Sequence, residues 1–242
     1  HFLNRRQYRN DTRYADDFLV VAPGITIRDR LQVLTVDTST HRRSDALDYY
    51  RQRALVPQQY EAELDSLNSR IVITNFHAFK LRETMDLSAG GRALLEGQTG
   101  PEVDTKETGG QMIQRVMPDL MGLKNILALN DEAHHCYREK PAQDDEEDDL
   151  KGDDRKEAER NREAARLWIS GLEAVNRKLG LARVIDLSAT PFFLRGSGYA
   201  EGTLFPWVVS DFSLIDAIES GIVKVPRVPV ADNTMTGDLP TY

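Results

Sequence analysis

The chain is poor in cysteine and has no long apolar run. Its 242 residues include one cysteine, Cys136, so an intramolecular disulfide and a cysteine-rich zinc module are both excluded. A single cysteine is typical of a reducing compartment, and we expect a cytoplasmic protein. No stretch approaches the ~18 consecutive apolar residues of a membrane-spanning helix. Residues 1–6 also lack the apolar core of a signal peptide, so we expect no membrane partner.

Positive charge is in deficit, but the deficit is local. Lys and Arg number 31 against 39 Asp and Glu, which gives a formal net charge of −8. Residues 144–154 contain eight acidic residues and one lysine, so the rest of the chain carries only −1. The acidic balance therefore does not exclude a nucleic-acid partner. We interpret residues 143–155 as an acidic surface loop, and residues 88–110, with six glycines, as a glycine-rich insertion.

Four short apolar runs lie between segments with helical spacing. The runs cover residues 18–22, 71–74, 126–129 and 184–187, and their length and composition predict strands buried on both faces. Helices are predicted over residues 3–14, 44–56, 58–67, 111–121 and 155–179. This alternation predicts an α/β fold with a mostly parallel sheet flanked by helices. In such sheets, functional sites lie at the carboxyl ends of the strands.

Chemically active side chains follow the third and fourth runs. Asp131 and Glu132 come directly after the third run, where one carboxylate can hold hydrated Mg²⁺ and the other can orient an attacking water. Ser188, Ala189 and Thr190 come directly after the fourth run. Small hydroxyl residues at that point can pass a change in hydrogen bonding from one site to another.

The order of these segments resembles a known motor family. Residues 131–134 read Asp-Glu-Ala-His and residues 188–190 read Ser-Ala-Thr, as in superfamily-2 DEAD/DEAH-box helicases and translocases, which are P-loop NTPases. The segments at 187–193 and 207–226 are most similar to the motor (Res) subunit of type III restriction enzymes. The resemblance covers roughly residues 15–230. It implies a RecA-like three-layer domain, the first of two motor domains, that couples ATP hydrolysis to movement on DNA.

The resemblance also implies a role for each matching residue. Asp131 would position Mg²⁺ through water, and Glu132 would be the general base. His134 would couple the nucleotide site to the DNA side, and Ser188, Ala189 and Thr190 would link hydrolysis to movement. The residues implied to contact the nucleic acid are Pro23, Gly24, Thr26 and Arg28, with Asn75 and His77 nearby.

The implied partners are ATP with Mg²⁺, DNA, a second motor domain of the same parent chain, and a methyltransferase or specificity subunit. RNA remains an alternative to DNA. The parent would be a helicase or translocase, with an endonuclease activity if it is a restriction enzyme.

One family motif does not occur in the sequence. A phosphate loop ending in Gly-Lys-Ser or Gly-Lys-Thr is absent. We therefore interpret residues 1–17 as the end of a helix that follows such a loop, 18–230 as a partial first motor domain, and 231–242 as the start of a linker. Without the loop, the chain alone is expected to be inactive. The alternative is a non-catalytic nucleic-acid or protein binding module that retains the motor fold.

Three other features leave narrower choices. Zinc binding by His134, His135 and Cys136 is disfavoured, because their spacing does not suit ligands on one helix face. Trp168 is predicted to lie in the core, whereas Trp207 stays open between core packing and stacking on bases. A basic cluster near the start is either a solvated helix face or a phosphate contact; its members are Arg5, Arg6, Arg9 and Arg13.

Overall fold

The chain forms two compact units in the computed structural model, His1–Phe205 and Pro206–Tyr242. The structure describes residues 1–35, 49–65, 69–83, 106–137, 153–193 and 199–224. Residues 88–105, 143–152 and 231–242 fall outside these ranges. The predictions of a glycine-rich insertion, an acidic loop and a linker therefore concern mainly residues outside the described part. The predicted domain boundaries stay predictions.

A sheet of four parallel strands organises the first unit. The strands are β1 (Phe18–Ala22), β2 (Ile71–Asn75), β3 (Ile126–Asp131) and β4 (Leu181–Leu187), in the order β2-β1-β3-β4. All four predicted strands are present, and the α/β class is confirmed. β4 begins at Leu181, earlier than the apolar run at 184 suggested, because backbone pairing with β3 extends across residues of mixed polarity.

The prediction that every strand is buried on both faces is wrong for β4. β1 has strands on both sides, and its residues from Leu19 to Ala22 are all buried. β4 pairs within the described sheet only with β3, and Val184 and Leu187 are 46% and 51% exposed. The apolar run therefore predicted β4 correctly, but the burial of β4 depends on the position of the strand in the sheet.

Helices connect the strands of the first unit and differ in detail from the predicted ones. They are α1 (Phe2–Gln7), α2 (Ile25–Leu31), α3 (Tyr49–Gln52), α4 (Glu61–Asp65), α5 (Gly109–Val116) and α6 (Asp153–Lys178). Short 3₁₀ turns cover Gln32–Leu34, Gln58–Tyr60, Phe76–Phe79, Pro118–Leu120 and Ala133–His135. The helix predicted over residues 3–14 ends at Gln7. Residues 109–110 and 153–154, predicted as loops, belong to the first turns of α5 and α6.

The core lies between one face of the sheet and the helices α5 and α6. Leu19 and Val21 of β1 and Ile126 of β3 pack there with Trp168 and Val175 of α6. Trp168 and Val175 are completely buried, so the predicted apolar face of α6 is confirmed. The packing of this apolar face on the core stabilises the 26-residue helix α6.

The second unit is described only as far as Lys224. It contains α7 (Leu214–Glu219), which begins with a capping box in which Ser213 and Asp216 each accept the other's backbone N–H. This pairing satisfies two amide donors at the start of a short helix. Trp207 is 48% exposed, and the choice between core packing and stacking on bases stays open.

Across the described ranges, none of the helices has the length and apolar character needed to cross a lipid bilayer.

Candidate functional site

The four strands bring their carboxyl ends to one edge of the sheet. In the register of the ladder, Ala22 lies beside Asn75, Val21 beside Asn130, and Asp131 beside Leu187. The residues that follow each strand are therefore neighbours, although they are far apart in the sequence. This edge is the location that the sequence predicts for the site.

The acidic turn, which we define as residues 131–136, begins at the end of β3. Glu132 has φ 52° and ψ 48°, a left-handed conformation that costs a non-glycine residue energy and that recurs at functional sites. The backbone then forms a 3₁₀ turn over Ala133–His135. The Glu132 side chain is 37% exposed, so its carboxylate can reach a water or a ligand at the sheet edge.

The hydroxyl segment, residues 188–190, follows β4 and contacts the acidic turn directly. Nδ1 of His134 lies 2.8 Å from Oγ of Ser188 and 3.2 Å from Oγ1 of Thr190. Oε2 of Glu132 lies 3.4 Å from the same nitrogen. One imidazole nitrogen therefore meets side-chain oxygens of both segments.

Burial decides the charge of the two histidines in this turn. It lowers the pKa of His134, and burial together with the neighbouring His134 lowers the pKa of His135, so both shifts favour the neutral ring. The backbone N–H of Thr190 donates to Oγ of Ser188 at 3.0 Å. In the tautomer of neutral His134 that carries its hydrogen on Nε2, the Ser188 hydroxyl donates its hydrogen to Nδ1; in the other tautomer Nδ1 donates to Ser188. Either tautomer links the hydroxyl segment to the turn through hydrogen bonds.

The first predicted nucleic-acid segment follows β1. Gly24 is the N-terminal cap residue of α2, Thr26 is exposed and Pro23 is half-buried. The guanidinium of Arg28 donates two hydrogen bonds to Oδ1 of Asp29, at 2.9 and 2.7 Å. Any phosphate contact by Arg28 has to compete with this carboxylate.

The second predicted nucleic-acid segment follows β2, beside the first. Asn75 is only 6% exposed, and its Oδ1 accepts the backbone N–H of Ala78 at 3.2 Å. Its side chain therefore caps the Phe76–Phe79 turn, a role the sequence did not reveal. His77 is exposed, with its ring packed on Phe76 at a centroid distance of 4.0 Å.

Three arginines of the basic cluster have carboxylate partners. Arg5 pairs with Asp16 at 3.3 Å, Arg6 with Glu63 at 3.1 Å, and Arg13 with Asp11 at 2.6 Å. These partners favour the solvated-face alternative over a phosphate contact.

The residues present fit part of a magnesium–nucleotide site. Asp131 ends β3 with a half-buried side chain beside Glu132, and Mg²⁺ in nucleotide sites is held by one or two carboxylates together with phosphates and water. Among the described residues no group of three or more His, Cys, Asp or Glu could hold a metal ion without other ligands. The sequence contains no Gly-Lys-Ser or Gly-Lys-Thr phosphate loop. Asp131 and Glu132 could therefore supply the carboxylates of such a site, but the sequence lacks a phosphate cradle of that type.

Sequence reasoning missed a polar cluster beneath the acidic turn. Asn130 and Asp186 are paired across β3 and β4, and Trp168 and Tyr137 contact them. Asn130, Tyr137 and Asp186 also line a cavity of about 430 Å³ between β4 and α6. The signal was present in the sequence, since Asn130 directly follows the third apolar run and Asp186 interrupts the fourth.

Comparisons of the chain with protein-family models, with curated proteins and with solved structures find no match.

Proposed function

We propose that this chain is a RecA-like first motor domain of a superfamily-2 nucleic-acid helicase or translocase, related to the motor subunit of type III restriction enzymes. The observation that carries the proposal is the contact of His134 with Ser188 and Thr190. It joins an Asp-Glu-Ala-His segment to a Ser-Ala-Thr segment at the ends of neighbouring parallel strands. Such an arrangement suits an enzyme that converts a change at a phosphate into movement of a neighbouring element.

The acidic turn carries the chemistry in this proposal. Asp131 would hold Mg²⁺ through a water molecule, and the ion would supply positive charge against the phosphate oxygens of ATP. Glu132 orients the attacking water and accepts its proton at a carboxylate oxygen. The exposure of Glu132 at the sheet edge supports this role, since a general base has to be within hydrogen-bonding reach of the water.

The hydroxyl segment and the ends of β1 and β2 provide the coupling and the nucleic-acid contacts. A change at Glu132 passes through His134 to Ser188 and Thr190, and Ala189 leaves room for the segment to move. Pro23, Gly24 and Thr26 then contact phosphates of one DNA or RNA strand through backbone N–H groups and hydroxyls. Arg28, Asn75 and His77 complete this predicted set, Asn75 through the backbone that it caps.

We further propose that a second motor domain completes the nucleotide site in the parent protein, that a methyltransferase or specificity subunit is a partner, and that the protein works in the cytoplasm. The 242-residue chain alone is then expected not to hydrolyse ATP at a useful rate, because a phosphate loop is not among its residues.

Steady-state ATP hydrolysis by the full-length protein, with and without duplex DNA, tests this proposal. We expect DNA-stimulated turnover that Glu132→Gln lowers by ~10²-fold or more, because the variant keeps the side-chain shape but removes the base. Glu159→Gln is the matched control, since it makes the same chemical change at an exposed position of α6. Full activity of Glu132→Gln would show that Glu132 is not the base.

A second candidate is a binding module that retains the motor fold. The absence of the Gly-Lys-Ser/Thr pattern favours it. It predicts that the full-length protein binds nucleic acid in a fluorescence-anisotropy titration, without ATP turnover and with no effect of Glu132→Gln. Turnover that depends on Glu132 excludes this candidate.

A further inference from the structure

A hydrogen-bonded cluster that the proposed chemistry does not use lies on the α6 side of the sheet. Nδ2 of Asn130 donates to Oδ1 of Asp186 at 2.7 Å, and Nε1 of Trp168 donates to Oδ1 of Asn130 at 3.1 Å. The hydroxyl of Tyr137 donates to Oδ2 of Asp186. Nδ2 of Asn130 also lies 4.0 Å from Sγ of Cys136.

The cluster leaves Asn130 in one orientation. Its side chain is 1% exposed, so each of its polar atoms needs a partner. A flipped amide would place its NH₂ against the Trp168 N–H and its oxygen against the Asp186 carboxylate, and both contacts would be repulsive. A buried polar group with every partner satisfied stabilises one specific geometry rather than several.

The two oxygens of Asp186 hold the two ends of the acidic turn. Asn130 immediately precedes the turn and binds Oδ1, whereas Tyr137 immediately follows it and binds Oδ2. Between these points the turn contains the left-handed Glu132, a conformation that persists only where surrounding contacts enforce it. The carboxylate thus links the two ends of the turn, together with the contact between Asn130 and Cys136.

The partner of His134 follows the strand that carries Asp186. Ser188 comes directly after β4 and two positions after Asp186, so fixing the turn against Asp186 also constrains the distance from His134 to Ser188. We propose that Asp186 is a positioning residue that clamps the acidic turn to β4 through Asn130 and Tyr137. The clamp thereby sets the geometry of Glu132 and His134. The consequence for hydrolysis rests on the proposed function, whereas the clamp itself does not.

Tyr137→Phe is the sharpest variant for testing the clamp. It removes one hydroxyl, keeps the ring that packs edge-on against Phe205 at 4.6 Å, and leaves the bonds of Asn130 in place, so the chain is expected to fold. The readout is the pair of ¹⁵N chemical shifts of the His134 ring, measured by NMR on the 242-residue chain. We expect Tyr137→Phe to move them clearly more than Tyr60→Phe, a control at an exposed tyrosine.

Substitutions of Asp186 provide a graded test. Asp186→Asn keeps one acceptor for Asn130 and offers an NH₂ group to the Tyr137 oxygen, so it should preserve part of the wild-type His134 signal. Asp186→Leu removes both contacts and should displace the signal further. Ring shifts that remain at wild-type values in folded Tyr137→Phe and Asp186→Leu overturn the clamp.

Hydrolysis by the full-length protein separates the clamp from the proposed function. We expect Tyr137→Phe to lower kcat by roughly 10- to 100-fold, with a much smaller change in KM for ATP, because the reacting groups are misplaced while binding is retained. If Tyr137→Phe displaces the His134 ring shifts but the wild-type protein hydrolyses no ATP, the results would support the clamp and refute the motor. If the wild type hydrolyses ATP in a Glu132-dependent way, and Tyr137→Phe leaves both kcat and the His134 ring shifts unchanged, the results would support the motor and refute the clamp.

Discussion

Gly171 shows how one missing side chain allows α6 to approach the turn that follows β2. A Cβ atom at this position would lie 2.1 Å from Cδ2 and 2.3 Å from Cγ of the Phe79 ring, and 2.8 Å from its Cβ. Phe79 is itself only 2% exposed, so its ring has little room to move. The same helix carries Trp168, whose ring stacks on Phe76 at 5.0 Å. The close approach at Gly171 therefore supports the packing beneath the site.

Gly171→Ala is expected to destabilise the chain by ~1–3 kcal/mol, the range for overpacking a closely packed core. Helix propensity alone would favour alanine, so the sign of the effect reports the contact with Phe79. Urea unfolding followed by circular dichroism measures it. Gly110→Ala is the control, because Gly110 lies in α5 with nothing within 4 Å of an added Cβ. Equal stability of Gly171→Ala and the wild type would mean that the contact is not tight.

The roles of individual residues were predictable where a motif defined them. They were missed where the role depended on a hydrogen-bond partner that the motif did not include. Asp131, Glu132 and Ser188 were selected from their places after apolar runs, and the structure places them at one edge of the sheet. The capping role of Asn75 and the bonding of Asn130 to Trp168 were not predicted. The bond between Asn130 and Trp168 joins residues 38 positions apart, which folding brings close and no local pattern specifies. The cap that Asn75 forms with Ala78 spans three positions, so it is a local signal that the sequence reading missed.

At the scale of elements, strands were predicted more reliably than helix ends. Short runs of branched apolar residues fit few structures other than a buried strand, and all four were found. The start of α5 was missed because Gly109 and Gly110 suggested a loop. A capping box between Thr108 and Gln111 begins the helix there, and the Thr-x-x-Gln pattern is readable in the sequence.

An ion pair at α5 is hydrogen-bonded to the backbone of the segment after β2. Arg115 donates to Oε1 and Oε2 of Glu107 at 2.8 and 2.7 Å and to the carbonyl of Lys80 at 3.1 Å. The backbone N–H of Arg82 also donates to Glu107, which is 6% exposed. The hydrogen bonds from Arg115 lower the pKa of the Glu107 carboxyl below its ordinary value of 4.5.

Arg115→Met should therefore cost roughly 1–3 kcal/mol at pH 7, because it leaves a buried carboxylate with fewer donors. The contribution of the ion pair is present above pH 4.5 and is lost as the pH falls through the lowered pKa of Glu107. The difference in unfolding free energy between wild type and variant should shrink on acidification. Urea unfolding at pH 7 and pH 4 checks this, with Arg160→Met, at an exposed position of α6, as control. A difference that does not change with pH would contradict the assignment.

At the scale of the whole molecule, strand order decides which segments meet. β3 and β4 are neighbours, whereas β1 lies between β2 and β3. The acidic turn therefore touches the hydroxyl segment, and the predicted nucleic-acid segments occupy the other half of the same edge. The sequence predicted a parallel sheet, but the strand order depends on pairings between distant residues, such as Asp131 with Leu187, that no local pattern encodes.

The central claim is that the ends of β3 and β4 act as one unit through His134 and Ser188. A double-mutant cycle on DNA-stimulated ATP hydrolysis by the full-length protein tests it most directly, with His134→Ala, Ser188→Ala and the double variant. Each single change removes the 2.8 Å contact, so we predict that the double variant loses little more activity than the worse single variant, with an interaction energy of at least ~0.5 kcal/mol. Losses that add within ~0.3 kcal/mol would show that the two segments act independently.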